Sequence, residues 1–174
     1  MPLIPWKFVS TWSCFACGKC CRKFKVPLSL NEAQKLMEKY GSNVIEFEKG
    51  IPYLKRKGGT CIFQDGNICS IQEDKPTACK LWPFYVKKAP LHPNDFLSAH
   101  YRYKNKVFYI YVHSWCTGVN KGVIPIHQVL PEVVSLYLGQ QTFQIFTTST
   151  FYPEDFLTNI IRPKHVANKI FQFL

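Results

Sequence analysis

Cys14-Phe15-Ala16-Cys17-Gly18-Lys19-Cys20-Cys21 sets four thiols at i, i+3, i+6 and i+7. Four more stand apart as Cys61, Cys69, Cys79 and Cys116, each in a loop-like setting. Such a cluster has three readings: metal ligands, a redox pair, or buried thiols packed as small hydrophobes. Core cysteines do not come at so regular a spacing, so metal ligation is favoured. A Cys-x-x-Cys loop lets two thiolates converge on one ion while intervening backbone N–H groups point at the sulfurs. Gly18 supplies the positive-φ freedom that this tight turn needs. Cys-x-x-Cys-x-x-Cys is also the spacing that holds three corners of a [4Fe–4S] cluster, with the fourth thiolate from elsewhere. Sulfur-only ligation points to zinc or an iron–sulfur cluster and away from magnesium or calcium. Cys20 and Cys21, being consecutive, project in different directions, so one of them serves a second ion or bridges two. The eight thiols therefore imply two four-sulfur sites, or one cluster and a smaller site.

The rest of the composition bounds the answer. In 174 residues, 47% are hydrophobic and 19% charged, and there are 14 Phe, 9 Tyr and 4 Trp. That much apolar surface does not stay solvated, which excludes a disordered chain. Apolar stretches such as Val107 to Val112 are far shorter than the ~18 residues a spanning helix needs. The start, Met-Pro-Leu-Ile-Pro-Trp-Lys, lacks a basic stretch followed by a long apolar one, so no secretory signal is read and a cytoplasmic protein is expected. Thiols there stay reduced, which argues against a disulfide framework. The net charge is +11. A domain this basic seeks polyanions or balances anionic sulfur of its own, and Lys19, Arg22, Lys23 and Lys80 are the expected counter-charges.

The cysteine pattern resembles that of the CxxCxxCC, or YkgJ-like, family of zinc- or iron-chelating domains. Cys14 to Cys21 looks like its opening motif. Cys61-Ile-Phe, followed by Cys69-Ser-Ile-Gln-Glu-Asp-Lys-Pro-Thr-Ala-Cys79-Lys-Leu-Trp-Pro-Phe, resembles its second block, with Lys75 and Lys80 where the family usually has arginine. Cys116-Thr-Gly-Val-Asn-Lys-Gly122 resembles its third, a Cys-x-Gly loop. The resemblance covers residues 14 to about 124 and implies a chelating site without supplying a reaction. Flagellin lysine N-methylases share a similar cysteine motif, which leaves a lysine N-methylase-like enzyme as one alternative and an iron–sulfur redox or iron-handling protein as another.

Around the cysteines, Ser29-Leu-Asn-Glu32 reads as a capping box opening a helix through Tyr40, stopped by Gly41, with Leu30, Ala33, Leu36, Met37 and Tyr40 as its apolar face. Thr60 to Gln64 and Asn67 to Ile71 are expected to form a hairpin about Asp65-Gly66 that carries Cys61 and Cys69. Lys75 to Cys79 looks like a short helical turn with Pro76 at its start. A second hairpin joins His100–Tyr103 to Lys106–His113 about Lys104-Asn105, and its second arm, apolar on both faces, should be a buried strand. The spacing of Leu130, Val133, Val134, Tyr137, Leu138 and Ile145 predicts a helix across roughly 131–147, with further helices over Glu154–Ile161 and Pro163–Phe173. The expectation is a single α+β domain, 1–174: a metal-stapled, loop-rich part over 14–124 and a helical part over 125–174.

Other chemistry is thin. No His-x-x-x-His spacing exists, and of the five histidines only His113, close to Cys116, is a candidate replacement ligand. Lys57-Gly58-Gly59-Thr60 lacks the strand-before, helix-after context of a phosphate loop. No catalytic residue and no small-molecule substrate emerge, and the balance is against an enzyme. Short basic groups, Arg22-Lys23-Lys25, Lys55-Arg56-Lys57, Lys87-Lys88, Arg102-Lys104-Lys106 and Arg162-Lys164-Lys169, are interleaved with Phe24, Tyr53, Tyr101 and Tyr103. Cations neutralise phosphates and aromatics stack on unpaired bases, so RNA is the expected partner, ribosomal RNA with its ribosomal proteins above all.

Overall fold

The computed structural model of the chain describes residues 2–147. The strands β1 (Leu3–Pro5) and β2 (Thr11–Trp12) come first, then the helices α1 (Lys19–Lys23) and α2 (Leu30–Tyr40). Six short strands follow: β3 (Ile45–Glu48), β4 (Ile51–Leu54), β5 (Arg56–Lys57), β6 (Thr60–Cys61), β7 (Gln64–Asp65) and β8 (Ile68–Cys69). After them run α3 (Thr77–Lys80), β9 (Phe84–Lys87), α4 (Phe96–Ala99), β10 (His100–Tyr103), β11 (Lys106–His113), β12 (Ile124–Pro125) and α5 (Ile126–Tyr137). The fold is α+β. Among the described residues no helix is long and apolar enough to cross a membrane.

The principal sheet is built on β11. Tyr109 is registered with both His100 and Lys87, and Tyr111 with both Pro5 and Tyr85. A residue has two hydrogen-bonding edges, so β10 and β1 share one edge of β11 while β9 takes the other. All these pairs are antiparallel. Side chains alternate across the strand. Phe108, Ile110 and Val112 face α5 and pack with Val9, Trp12, Phe84, Val129, Leu130 and Val133. Tyr109 and Tyr111 face the other way, onto Ala99 of α4 and Leu3. The strand is apolar on both faces because both faces are covered.

A second core lies under α2. Its capping box is formed: Ser29 Oγ accepts from the Glu32 N–H at 3.2 Å, and the Glu32 carboxylate accepts from the Ser29 N–H at 2.9 Å. Gly41, at φ 87°, closes the far end with an N–H to Met37 O bond. Ala33 and Leu36 are buried against Val26, Leu28, Val44, Ile45, Leu54, Phe63 and Ile71. Leu30 falls off the stripe and is 71% exposed.

Two expectations need correction. Thr60–Ile71 is not one hairpin. β6 folds back on β5 across Gly58-Gly59, both at positive φ, and β7 pairs with β8 across Gly66-Asn67. Gly66 therefore takes the first central turn position, where a II′ connection requires positive φ, which moves the turn one residue along. Cys61 and Cys69 sit on different hairpins. The long helix begins at Ile126, five residues before Pro131, and ends at Tyr137. Pro131 is tolerated because it lies on the solvent face with His127, whose freed carbonyl water can reach. Residues 140–147 are not helical. They are held instead by the buried Glu132 carboxylate, which accepts the N–H groups of Ile145, Phe146 and Thr147 and the Thr147 hydroxyl at 2.6–3.1 Å. The helices expected at Glu154–Ile161 and Pro163–Phe173, and the group Arg162-Lys164-Lys169, lie outside the described residues.

A buried charge is stable only when its hydrogen bonds are made, and here four donors converge on one carboxylate. Glu132→Ala strands those donors and is expected to lower unfolding free energy by about 2–4 kcal/mol, read from urea denaturation. A variant as stable as the parent would refute that role.

Candidate metal centre

The sequence around Gly18 turns the chain sharply. Ala16 and Gly18 both take positive φ, 48° and 63°, and Gly18 starts α1. Two basic groups hold this short helix in place. Arg22 Nη2 donates to Cys17 O at 2.6 Å, and Arg56 donates to the carbonyls of Phe24, Arg22 and Gly59. Cations at a helix C-terminus complement its dipole. The Cys116 loop arrives by a different route. A Cβ on Gly118 would stand 1.8 Å from Ser13 O, and one on Gly122 2.1 Å from Ser13 N. Only backbone fits there. The Cys-x-Gly pattern thus has a direct cause: it lets the Cys116 loop lie against the strand that leads into Cys14.

All eight cysteines line one cavity between the two cores. All are free thiols. Trp12, Phe24, Trp82, Trp115 and Lys75 complete much of its wall. Among the described residues, no three ligating side chains already stand as an ion-holding group. The sulfurs of Cys20 and Cys21 stand 4.0 Å apart.

The donors around the sulfurs suit thiolate ligands. Backbone N–H groups two residues on serve the sulfurs of Cys14, Cys61, Cys69 and Cys116, from Ala16, Phe63, Ile71 and Gly118. Side chains add to them: Thr117 Oγ1 donates to Cys17 Sγ at 3.0 Å and Trp12 Nε1 to Cys116 Sγ at 3.5 Å. Trp115 Nε1, on the same wall, is a buried donor with no hydrogen-bond partner among the described residues. Burial pushes the Cys14 thiol up to about 11, with the Ala16 N–H offsetting part of the rise. Burial also raises Cys61, Cys69, Cys79 and Cys116. The hydrogen bond between Cys20 and Cys21 raises the first and lowers the second. A bound cation reverses this by stabilising the thiolates, with loss of their protons. The donor set and the shared cavity fit zinc or an iron–sulfur cluster.

Other expected residues fall elsewhere. His113 stacks on Trp82 with centroids 4.5 Å apart and does not line the cavity. Of the expected counter-charges only Lys19 lines it. Arg22 is engaged with Cys17 O, Lys23 lies over the Trp115 ring, and Lys80 donates to Thr142 O. Lys75 is the ammonium that faces the thiols. The sequence reading does not single out Trp12, Trp82 and Trp115 as site residues, and it offers Phe24 only as a stacking surface for bases. Their signal was proximity: Trp12, Trp82 and Trp115 each stand within three residues of a cysteine.

The basic groups divide. Arg56 is spent on backbone carbonyls, Lys25 pairs with Glu46 and Glu48, and Lys55 and Lys57 are exposed near Arg56. Lys87, Lys88, Arg102, Lys104 and Lys106 gather at one end of the principal sheet, where β9 ends and β10 turns into β11.

The profile of the CxxCxxCC family, described as "Putative zinc- or iron-chelating domain", matches residues 13–122. Comparison with curated proteins and with solved structures returned no match. The match spans well over half of the chain and contains every cysteine, and the chain belongs to this family.

Gly118→Ala is expected to cost about 1–3 kcal/mol by forcing the Cys116 loop away from Ser13. It should also speed alkylation of Cys14 and Cys116 in the metal-free protein. Unchanged stability and labelling rates would contradict the close approach.

Proposed function

We propose that this member of the CxxCxxCC family is a non-enzymatic chelating module whose zinc or iron is structural. One observation carries the reading: all eight thiols face one cavity, and that cavity lies between two hydrophobic cores contributed by distant parts of the chain. When bound, the metal supplies cross-links from sulfur to sulfur. The chain's own part is to aim the thiols, shield them with indole rings and hold Lys75 beside them.

Because the ligands lie in turns, two short helices and the ends of two-residue strands, much of the binding free energy should be folding free energy. The test is elemental analysis and an absorption spectrum of protein purified without oxygen, followed by chelation. Zinc or iron should be found, and its removal should loosen the strands β3 to β8, seen as faster amide exchange. A brown protein bleached by dithionite would assign an iron–sulfur cluster, and a colourless one zinc. A protein with neither metal and an unchanged fold would sink the proposal.

A second reading concerns the partner, and the basic end of the sheet favours it. Lys88 and Lys106 line one shallow cleft with Phe108 and Leu138, and Lys87 and Lys104 lie over the rings of Tyr85 and Tyr103. Like charges held side by side suit a phosphate backbone, with aromatic faces beside them for unpaired bases. The reading is an RNA-associated component, with ribosomal RNA and ribosomal proteins as the expected partners. Co-sedimentation with ribosomal particles across a salt series tests it. Binding should fall steeply with salt and drop about tenfold or more for Lys88→Glu with Lys106→Glu, but little for Lys25→Glu, whose ammonium is already paired. Protein that stays soluble at low salt would end this reading.

A further inference from the structure

We propose that the eight cysteines form two adjoining four-sulfur centres, one of Cys14, Cys17, Cys20 and Cys116, the other of Cys21, Cys61, Cys69 and Cys79, meeting at the Cys20–Cys21 peptide. The proposal rests on the thiols being metal ligands and adds how they divide.

Packing separates them first. Cys14 and Cys116 lie against the core of the principal sheet and α5. Cys21, Cys61, Cys69 and Cys79 belong to the core under α2. Local contacts then complete each group. The backbone of Gly118 and Gly122 on Ser13 brings the Cys116 loop beside Cys14. The next residue, Thr117, reaches back to the Cys17 sulfur. On the other side, Ser70 N donates to Phe63 O, tying the Cys69 strand to the segment after Cys61. The Glu32 carboxylate accepts the Thr77 N–H at 2.7 Å, which fixes the turn bearing Cys79 against α2.

Cys20 and Cys21 stand at the seam. Successive residues of a helix point about 100° apart. With Cys21 turned to the core under α2, Cys20 turns toward Cys14 and Cys116. The electrostatic neighbours join Cys21 to Cys61, Cys69 and Cys79, and Cys116 to Cys17 and Cys20, while Cys20, at the seam, acts on Cys61, Cys69 and Cys79 as well. Each group contains two cysteines served by an N–H two residues on, Cys14 and Cys116 in one, Cys61 and Cys69 in the other. Four thiolates complete a tetrahedral zinc shell or the corners of a cubic cluster. Lys75 faces members of both groups, Cys14 and Cys20 on one side and Cys69 and Cys79 on the other. A single ammonium thus offsets anionic sulfur in both centres.

The experiment uses the full chain with the metal it carries on purification. Metal is withdrawn in steps with EDTA while N-ethylmaleimide labels freed thiols, and metal content and labelled peptides are read together. Cys14, Cys17, Cys20 and Cys116 should label as one phase and Cys21, Cys61, Cys69 and Cys79 as another. Cys116→Ser should lose about half of the metal per chain and open only its own group, and Cys69→Ser should do the converse. The chelation series on the parent protein keeps the test decisive if either variant fails to fold. A protein without zinc or iron overturns the metal reading and this division with it. A loaded protein whose eight cysteines label in a single phase, or whose Cys20 labels with Cys21, overturns the division alone.

Discussion

The loop after Cys116 touches the chain before Cys14 backbone to backbone, with no room for even a methyl group at Gly118 or Gly122. That approach closes the principal core around Trp12 and brings the last cysteine, about a hundred residues later in the chain, to the first cluster. Without it the cavity would lack one wall. The β12 strand depends on it too, since Ile124 and Pro125 pair with Trp12 and Thr11 just beyond the loop.

The cysteines then occupy the surface where two small cores meet. Neither core is large, and a small core gains much from a cross-link that it could not supply by apolar burial alone. The surrounding hydrogen bonds serve the same end. Arg56 fixes the end of α1, Glu32 fixes the start of α3, and Glu132 gathers residues 145–147, so that Thr147 too reaches the cavity. Charges that look like a diffuse basic surface in the sequence are therefore partly internal struts.

How much of this was legible depended on how local the cause was. The helix of residues 30–40 and the β10–β11 hairpin follow from neighbouring residues, Ser29 with Glu32 and Lys104 with Asn105, and both stand where expected. Pro131 misled because its tolerance depends on which face of α5 meets solvent, a tertiary fact. Thr60–Ile71 misled because two glycine turns compete within a dozen residues, and short strands leave register to turn geometry. At the site, the cysteines were legible from spacing. The role of Lys75 was not, because the thiols it faces come from three separate segments. Arg56 looked like a phosphate contact, since nothing in a linear sequence shows three carbonyls converging on one guanidinium.

X-ray absorption at the zinc and iron edges of the purified protein tests the central claim most directly. The account predicts an all-sulfur protein shell, at about 2.3 Å if the metal is zinc. A first shell made mainly of nitrogen or oxygen would contradict it, because the cavity between the two cores would then not be where the metal is held.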